Sequence, residues 1–350
     1  MDIKELLKIA AEKKASDLHL TVGLPPIIRV DGTLSYIENK NKITAKEMQQ
    51  MIFSMIDENQ KDRFMSTREF DFGYEVEKYR YRVNLHFEKN NLGLVARVIN
   101  DKIPTLDDIG MPKIIYNLLD LKQGLILLTG PTGCGKSTTL AAMIEYINNN
   151  RFCSIITLED PIEYLFKPKK SAIIQRQLGS DILSFPSGLK HILRQDPNVI
   201  MVGEMRDLET IATTITLAET GHLVLATLHT YSAAQTIDRI IDIFPPHQQS
   251  QVRMQLSMTL ASVISQRLLN KIDGGRMAVR EILINTPAVA NLIRENKIAQ
   301  IKTVIETSSR EGMISLDQDL QRLFKEKLID KDTAQAHMVN PELLDKFKFI

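Results

Sequence analysis

Apolar positions change their spacing along this chain of 350 residues. Ile3, Leu6, Leu7 and Ala10 recur at helical intervals and predict an amphipathic helix over residues 3–14. Asp17-Leu18-His19-Leu20 and Ile27–Val30 then alternate as strands do, separated by Gly23-Leu24-Pro25-Pro26. Asp31-Gly32 closes the second run with a hairpin-turn pair. Thr44–Asn59 predicts one helix, with Thr44 as its N-cap and Glu47 as the capping-box partner. Three more strand-like runs, Phe70–Val76, Tyr79–His86 and Gly93–Ile99, complete a predicted α+β domain over residues 1–100. Pro104, Gly110 and Pro112 mark a linker at 101–116, with a helix near Pro112–Leu119.

From residue 117 the pattern becomes short, continuous apolar runs alternating with helical stretches, as a parallel sheet demands. Leu125–Leu128, Cys153–Leu158, Val199–Val202, Leu223–Leu228 and Val279–Asn285 are predicted strands. Thr138–Tyr146, Ser187–Arg194, Leu208–Glu219 and a stretch from Pro245-Pro246 to about Leu260 are predicted helices, the third closed by Gly221. This gives a second domain over 117–285. The remainder, 286–350, reads as amphipathic helix, with Leu316, Leu320, Leu323 and Phe324 on one side.

The most specific stretch is Gly124–Tyr146. Here an apolar strand leads into Gly130-Pro131-Thr132-Gly133-Cys134-Gly135-Lys136-Ser137 and then into a helix. That octet fits G-x-x-x-x-G-K-[ST] in the strand–loop–helix context that triphosphate binding requires. Glycines let backbone N–H groups curl around phosphate oxygens. The helix N-terminus adds partial positive charge, Lys136 reaches the β- and γ-phosphates, and the Ser137 hydroxyl suits Mg²⁺. The chain is a nucleotide binder on this evidence.

Composition narrows what else it does. Lys and Arg number 44 against 43 Asp and Glu, so no field of one sign attracts nucleic acid or anionic lipid. Two cysteines, Cys134 and Cys153, make neither a disulfide framework nor a zinc site, and a reducing interior is expected. The N-terminus does not read as a signal peptide, and no apolar run approaches the ~18 residues that span a bilayer. A cytoplasmic protein without direct membrane insertion is expected.

Hydrolysis also needs a water-orienting group, a metal partner and charge to offset the transition state. In parallel sheets these sit at the C-terminal strand ends. Glu159-Asp160-Pro161-Ile162-Glu163 follows a strand and either polarises water or forms a solvated loop. Val199–Val202 leads through Gly203 to Glu204, where an Asp usually ends such a strand directly, leaving direct and water-mediated metal contact both open. His222 and His229 flank the Leu223–Leu228 strand, His229 at the end where the γ-phosphate belongs. Arg80, Arg82 and Arg97 are either surface arginines of half-exposed strands or residues reaching nucleotide across a boundary.

Taken together and in order, GPTGCGKSTTLAAM, TLEDPIEY, GEMRDLETI and AETGHLVLATLHT resemble the PilT-type secretion ATPases. ASDLHLTVGLPPIIRVDG and TPAVANLIRENKIAQ extend the resemblance over nearly the whole chain. It implies an α/β fold: a PAS-like N-terminal domain, a RecA-like P-loop ATPase domain and a helical C-terminal tail, in a homohexamer with nucleotide between the domains. It implies a motor coupling ATP hydrolysis to type IV pilus retraction, acting at the inner face of the cytoplasmic membrane with a platform protein and a possible paralogous ATPase. By position, Gly130 to Thr138 cradle the phosphates and Ser137 and Glu204 serve Mg²⁺. Glu163 resembles the water-activating glutamate, His222 and His229 the histidine box, and Arg82 and Arg97 the N-domain arginines. Ala288–Glu295 reads AVANLIRE, with Ala290 where the family usually has arginine.

Extension and type II secretion ATPases usually carry a longer N-terminal region and a four-cysteine zinc motif, and the accessory retraction paralogue a longer acidic tail; the retraction motor fits better. Asn270-Lys271-Ile272-Asp273 spells a guanine-reading pattern, but it runs into Gly274-Gly275 and reads as a hairpin turn. A helicase wants a basic nucleic-acid path that a net charge of +1 does not suggest.

Overall fold

In a computed structural model, which describes residues 1–30, 32–77, 79–99 and 102–345, the chain divides into two compact units. Met1–Lys102 with Pro161–Leu165 forms the first, and Ile103–Asp160 with Phe166–Ile350 the second.

The first unit is an antiparallel sheet of six strands: β1 (Asp17–Thr21), β2 (Ile27–Val30), β3 (Thr33–Tyr36), β4 (Glu69–Val76), β5 (Tyr79–Glu88) and β6 (Asn91–Ile99). Their order is β3-β2-β1-β6-β5-β4. Alternation decides its faces. Along β5, Tyr81, Val83 and Leu85 are fully buried, whereas Arg80, Arg82 and Asn84 point the other way and are half-buried. The apolar face packs with the helix Ile3–Glu12 through Leu6 and Leu7 in one core, and the Tyr81 hydroxyl donates to the Leu7 carbonyl at 2.9 Å. The helix expected over Thr44–Asn59 is two helices, Ala45–Phe53 and Glu58–Thr67. Thr44 and Glu47 do form the expected capping box, but Asp57 and Gln60 form a second one that starts a new helix. Of the hairpin pair Asp31-Gly32, Asp31 lies outside the described residues. The strand β3, paired with β2, is exposed at all four residues, Leu34 and Tyr36 included.

The second unit holds β7 (Gly124–Thr129), β8 (Ser154–Glu159), β9 (Ala172–Gln177), β10 (Val199–Val202), β11 (Leu223–Leu228), β12 (Leu260–Asn270) and β13 (Arg276–Ile284). Their order is β13-β12-β7-β11-β10-β8-β9, all parallel except β13, which pairs antiparallel with β12 at the edge. Every residue of β7, β10 and β11 is buried, which explains their unbroken apolar sequences. The helix Pro246–Thr259 runs straight into β12 with no breaker between them, so the strand escaped the sequence reading. The turn from Lys271 to Gly275 joins β12 to β13, as expected of the Asn270–Asp273 stretch. Beyond β13 the chain is helical, with Thr286, Ser315 and Asp330 as side-chain N-caps. Among the described residues no helix is long and apolar enough to cross a membrane.

Candidate active site

The loop after β7 takes a shape that its glycines require. Gly130 has φ +144°, and a Cβ there would lie 2.2 Å from the Gln266 carbonyl oxygen on β12. Gly135, at φ +87°, is the N-cap of the helix Lys136–Asn150 and brings no side chain across its first N–H groups. These groups therefore face the loop as an anion site. Cys134 is buried beneath it, and burial pushes its thiol pKa up. Pro131, Lys136, Ser137 and Thr138 are half-buried and Thr132 and Gly133 exposed, so the loop is open to a ligand.

Neighbouring strands deliver the polar side chains. β11 pairs with β7 so that Leu228 lies opposite Thr129, which sets His229 beside the start of the loop. β10 pairs with β11 and ends at Val202, followed by Gly203 and Glu204. Gly203 intervenes for a packing reason: its N–H donates to the Leu158 carbonyl at 2.8 Å, and a Cβ would come within 3.0 Å of that oxygen. The Thr227 hydroxyl donates to the Gly203 carbonyl, stapling the two strand ends together.

A continuous polar chain results. Lys136 Nζ donates to the carbonyls of Gly130 at 2.6 Å and Pro131 at 3.0 Å and lies 3.5 Å from His229 Nδ1. His229 Nε2 is 2.6 Å from Glu204 Oε1, and Arg206 Nη2 donates to Glu204 Oε2 at 2.7 Å. Burial alone would raise the Glu204 pKa, but the Arg206 guanidinium and His229 outweigh it and hold the carboxyl below its ordinary value. Glu204 is thus an anion with both oxygens engaged.

The acidic box does not act as a block. Glu159 is buried and accepts from the Thr157 hydroxyl at 2.6 Å and Gln175 Nε2 at 3.0 Å, so it is a structural carboxylate. Asp160 is exposed and lies in the field of Arg206. Glu163 is half-buried and falls in the segment grouped with the first unit. There, Arg82 on β5 and Arg97 on β6 are paired across the sheet. Arg97 Nε donates to Asp17 Oδ1 at 2.9 Å, with the carboxylate buried and the arginine side chain 67% exposed.

His222 is not brought together with the phosphate loop. It precedes β11 at the opposite edge of the sheet, six residues from that strand's other end, or ~20 Å. Its Nδ1 lies 2.9 Å from the Leu217 carbonyl, at the end of the helix Leu208–Glu219. Of the two histidines, the fold of the chain brings His229, and not His222, beside the phosphate loop. Sequence reading also missed Arg206 and Gln266. Arg206 stands two residues from Glu204 inside a quoted motif, and Gln266 is a polar residue in an otherwise buried strand.

Residues 1–274 match the family described as type II/IV secretion system protein. The chain is 47% identical to the type IV pilus retraction ATPase PilT of Pseudomonas aeruginosa, over 98% of this chain and 99% of that protein. It is 46% identical to a twitching motility protein of Neisseria gonorrhoeae, over 91% of this chain and 85% of that one. A crystal structure of the pilus retraction motor PilT with bound ADP superposes with a TM-score of 0.93 at 43% identity, covering 99% of this chain and all of that one. The chain belongs to the type II/IV secretion system protein family, as a PilT-type member.

Proposed function

We propose that this protein is a motor ATPase that couples ATP hydrolysis to retraction of a type IV pilus. The observation that carries the reading is the Lys136–His229–Glu204–Arg206 chain joined to an intact phosphate loop, in a chain similar to PilT along its whole length. Lys136 exchanges its two loop carbonyls for β- and γ-phosphate oxygens. His229, beside it, then senses whether a γ-phosphate is present and passes that state to Glu204 through their hydrogen bond. Glu163, in the ATPase domain (117–285), orients the attacking water, and Arg82 and Arg97, in the N-terminal α+β domain (1–100), offset transition-state charge.

The donor set suits Mg²⁺, a hard cation that keeps several waters and takes few protein ligands. Among the described residues no group of three or more His, Cys, Asp or Glu side chains could hold a metal alone. Ser137 would be the direct ligand. Glu204, with both oxygens engaged, would act through water. Bound Mg²⁺ would neutralise charge on the β- and γ-phosphates. The working assembly is a homohexamer acting at the inner face of the cytoplasmic membrane, on an inner-membrane platform protein and beside a paralogous ATPase.

Turnover per chain measured across protein concentration tests this. It should rise cooperatively, Arg97→Ala should abolish it, Lys136→Ala should lose nucleotide, and Glu163→Gln should keep nucleotide and lose turnover. Flat turnover with a dispensable Arg97 would mean that each chain works alone, and the motor reading would fall.

A further inference from the structure

We infer that Gln266 is a positioning residue for the phosphate loop and that Arg280 fixes its orientation. Gln266 lies on β12, beside β7, and is buried. Its backbone carbonyl is the floor under Gly130, and its Nε2 would lie 3.1 Å from a Cβ on Gly135. Two donors converge on its Oε1: the Thr139 hydroxyl at 3.0 Å and Arg280 Nε at 3.1 Å. With the amide turned over, its nitrogen would face the Arg280 N–H, donor against donor, and its oxygen the Cys134 carbonyl, acceptor against acceptor, so the side chain has one orientation. Its Nε2 therefore donates to the Cys134 carbonyl, at 2.7 Å.

That last bond acts on the ligand side of the loop. In a trans peptide the carbonyl of one residue and the N–H of the next point opposite ways. Holding the Cys134 carbonyl down on Gln266 turns the Gly135 N–H away from the floor, towards the side from which a phosphate approaches. A donor fixed before binding needs no reorganisation when the anion arrives. The orienting Arg280 is itself held on all sides. Its Nη1 and Nη2 donate to the carbonyls of Gly110 and Ile109, at 3.1 and 2.9 Å. Its backbone N–H donates to Asp319 Oδ2 at 2.8 Å, in the helix Leu316–Lys325. Burial pushes its pKa down to about 10, which leaves it a cation at neutral pH. The chain from Asp319 through Arg280 and Gln266 to Cys134 ties the C-terminal helical region to the phosphate loop.

The inference rests on the loop being the nucleotide site, and Gln266→Glu in the full chain separates the two claims. The carboxylate is isosteric, keeps Thr139 and Arg280 as donors, and presents an acceptor to the Cys134 carbonyl. Folding should therefore hold while the loop is released. Calorimetric ADP affinity and the KM for ATP should each weaken about tenfold, the worth of one hydrogen bond to a preorganised site, with the melting temperature little changed. ADP affinity within twofold of wild type would overturn the positioning role. Should Gln266→Glu not fold, Arg280→Met and Arg280→Lys decide: Met frees the amide to turn and should weaken ADP about threefold, whereas Lys retains a cation and should restore part of the loss. Equal affinities for both would overturn the role of Arg280. Lys136→Ala is the reference, and wild-type ADP affinity in that variant would instead overturn the assignment of the loop.

Discussion

Where β7, β10 and β11 end, Lys136, His229, Glu204 and Arg206 form one polar chain around an anion-binding loop. Where β7 begins, Leu118, Leu121, Met258 and Leu260 help line an open cavity of ≈ 470 Å³. The sheet is the same, and what differs is which ends of the flanking helices meet its strands. In a parallel sheet with crossover helices, helix N-termini gather at the strands' C-terminal edge and helix C-termini at the other. The first edge therefore collects N–H donors suited to phosphate, and the second collects carbonyls suited to cations or histidine. His229 and His222, at the two ends of β11, sample this difference with one residue type.

Gly130→Ala should break the comparison most severely, by destroying the first edge. Its Cβ would lie 2.2 Å from the Gln266 carbonyl and 2.7 Å from Cys134 Sγ, at a φ that L side chains rarely adopt. Backbone must move, at about 3 kcal/mol of stability. A loop displaced by ~1 Å should lower kcat/KM by about 10²-fold. Thermal unfolding together with ADP titration checks both, and a variant binding ADP normally would show that the close packing is not needed.

His229→Ala and Glu204→Ala should sharpen the comparison by leaving the loop intact. Each should lower kcat by about 10²-fold with little change in ADP affinity, because His229 would contact the γ-phosphate, which ADP lacks, and Glu204 acts through His229. Glu204 also carries a pH signature. Its folded pKa lies below the unfolded value, so the stability it contributes is present above the ordinary carboxylate range and is lost as pH falls through the lowered value. Acid unfolding followed at several pH values should show that loss in wild type and lack it in Glu204→Gln.

The loop, the strands β7, β8, β10 and β11 and the ends bearing Glu204 and His229 were legible because buried parallel strands write continuous apolar runs and place chemistry just beyond them, whereas β9 and β12 were not. The first unit was harder. Its arginines stand on a strand face at every second position, where Arg80 and Arg82 look like any exposed alternation. The role of Asp17 depends on β1 lying beside β6, a pairing no local pattern announces. Gln266 was illegible for the same reason, since its partners Cys134 and Arg280 are 132 and 14 residues away. Sequence spacing reports period and turn chemistry, and contacts between distant strands lie beyond it.

Arg97→Ala, expected to abolish turnover, tests that polar face with a smaller effect on stability. Asp17 is buried, which would raise its pKa, but hydrogen bonds from Ser16 and Arg97 and the charge of Arg97 bring it below the ordinary value. Removing Arg97 leaves the carboxylate with Ser16 at 2.8 Å and Arg29 at 4.0 Å. With Arg97 largely exposed, the expected loss is about 1 kcal/mol near neutral pH, shrinking below the carboxylate range where Asp17 is protonated in both states. Denaturant unfolding of wild type and variant at neutral and acid pH gives the difference directly. A loss that did not depend on pH would mean that Arg97 contributes packing and not charge.

The smallest effect belongs to His222→Ala. His222 Nδ1 lies 2.9 Å from the Leu217 carbonyl and 3.3 Å from the Thr220 hydroxyl, so the ring closes a helix C-terminus whose last carbonyls want a donor. Its loss should cost about 0.5 kcal/mol. ADP affinity per chain should stay within twofold of wild type, in contrast to the variants at the other edge, because nothing links His222 to the loop except ~20 Å of buried strand. If His222→Ala instead weakened ADP as strongly as Lys136→Ala, the two edges would be coupled, and the division of labour between the ends of β11 would have to be abandoned.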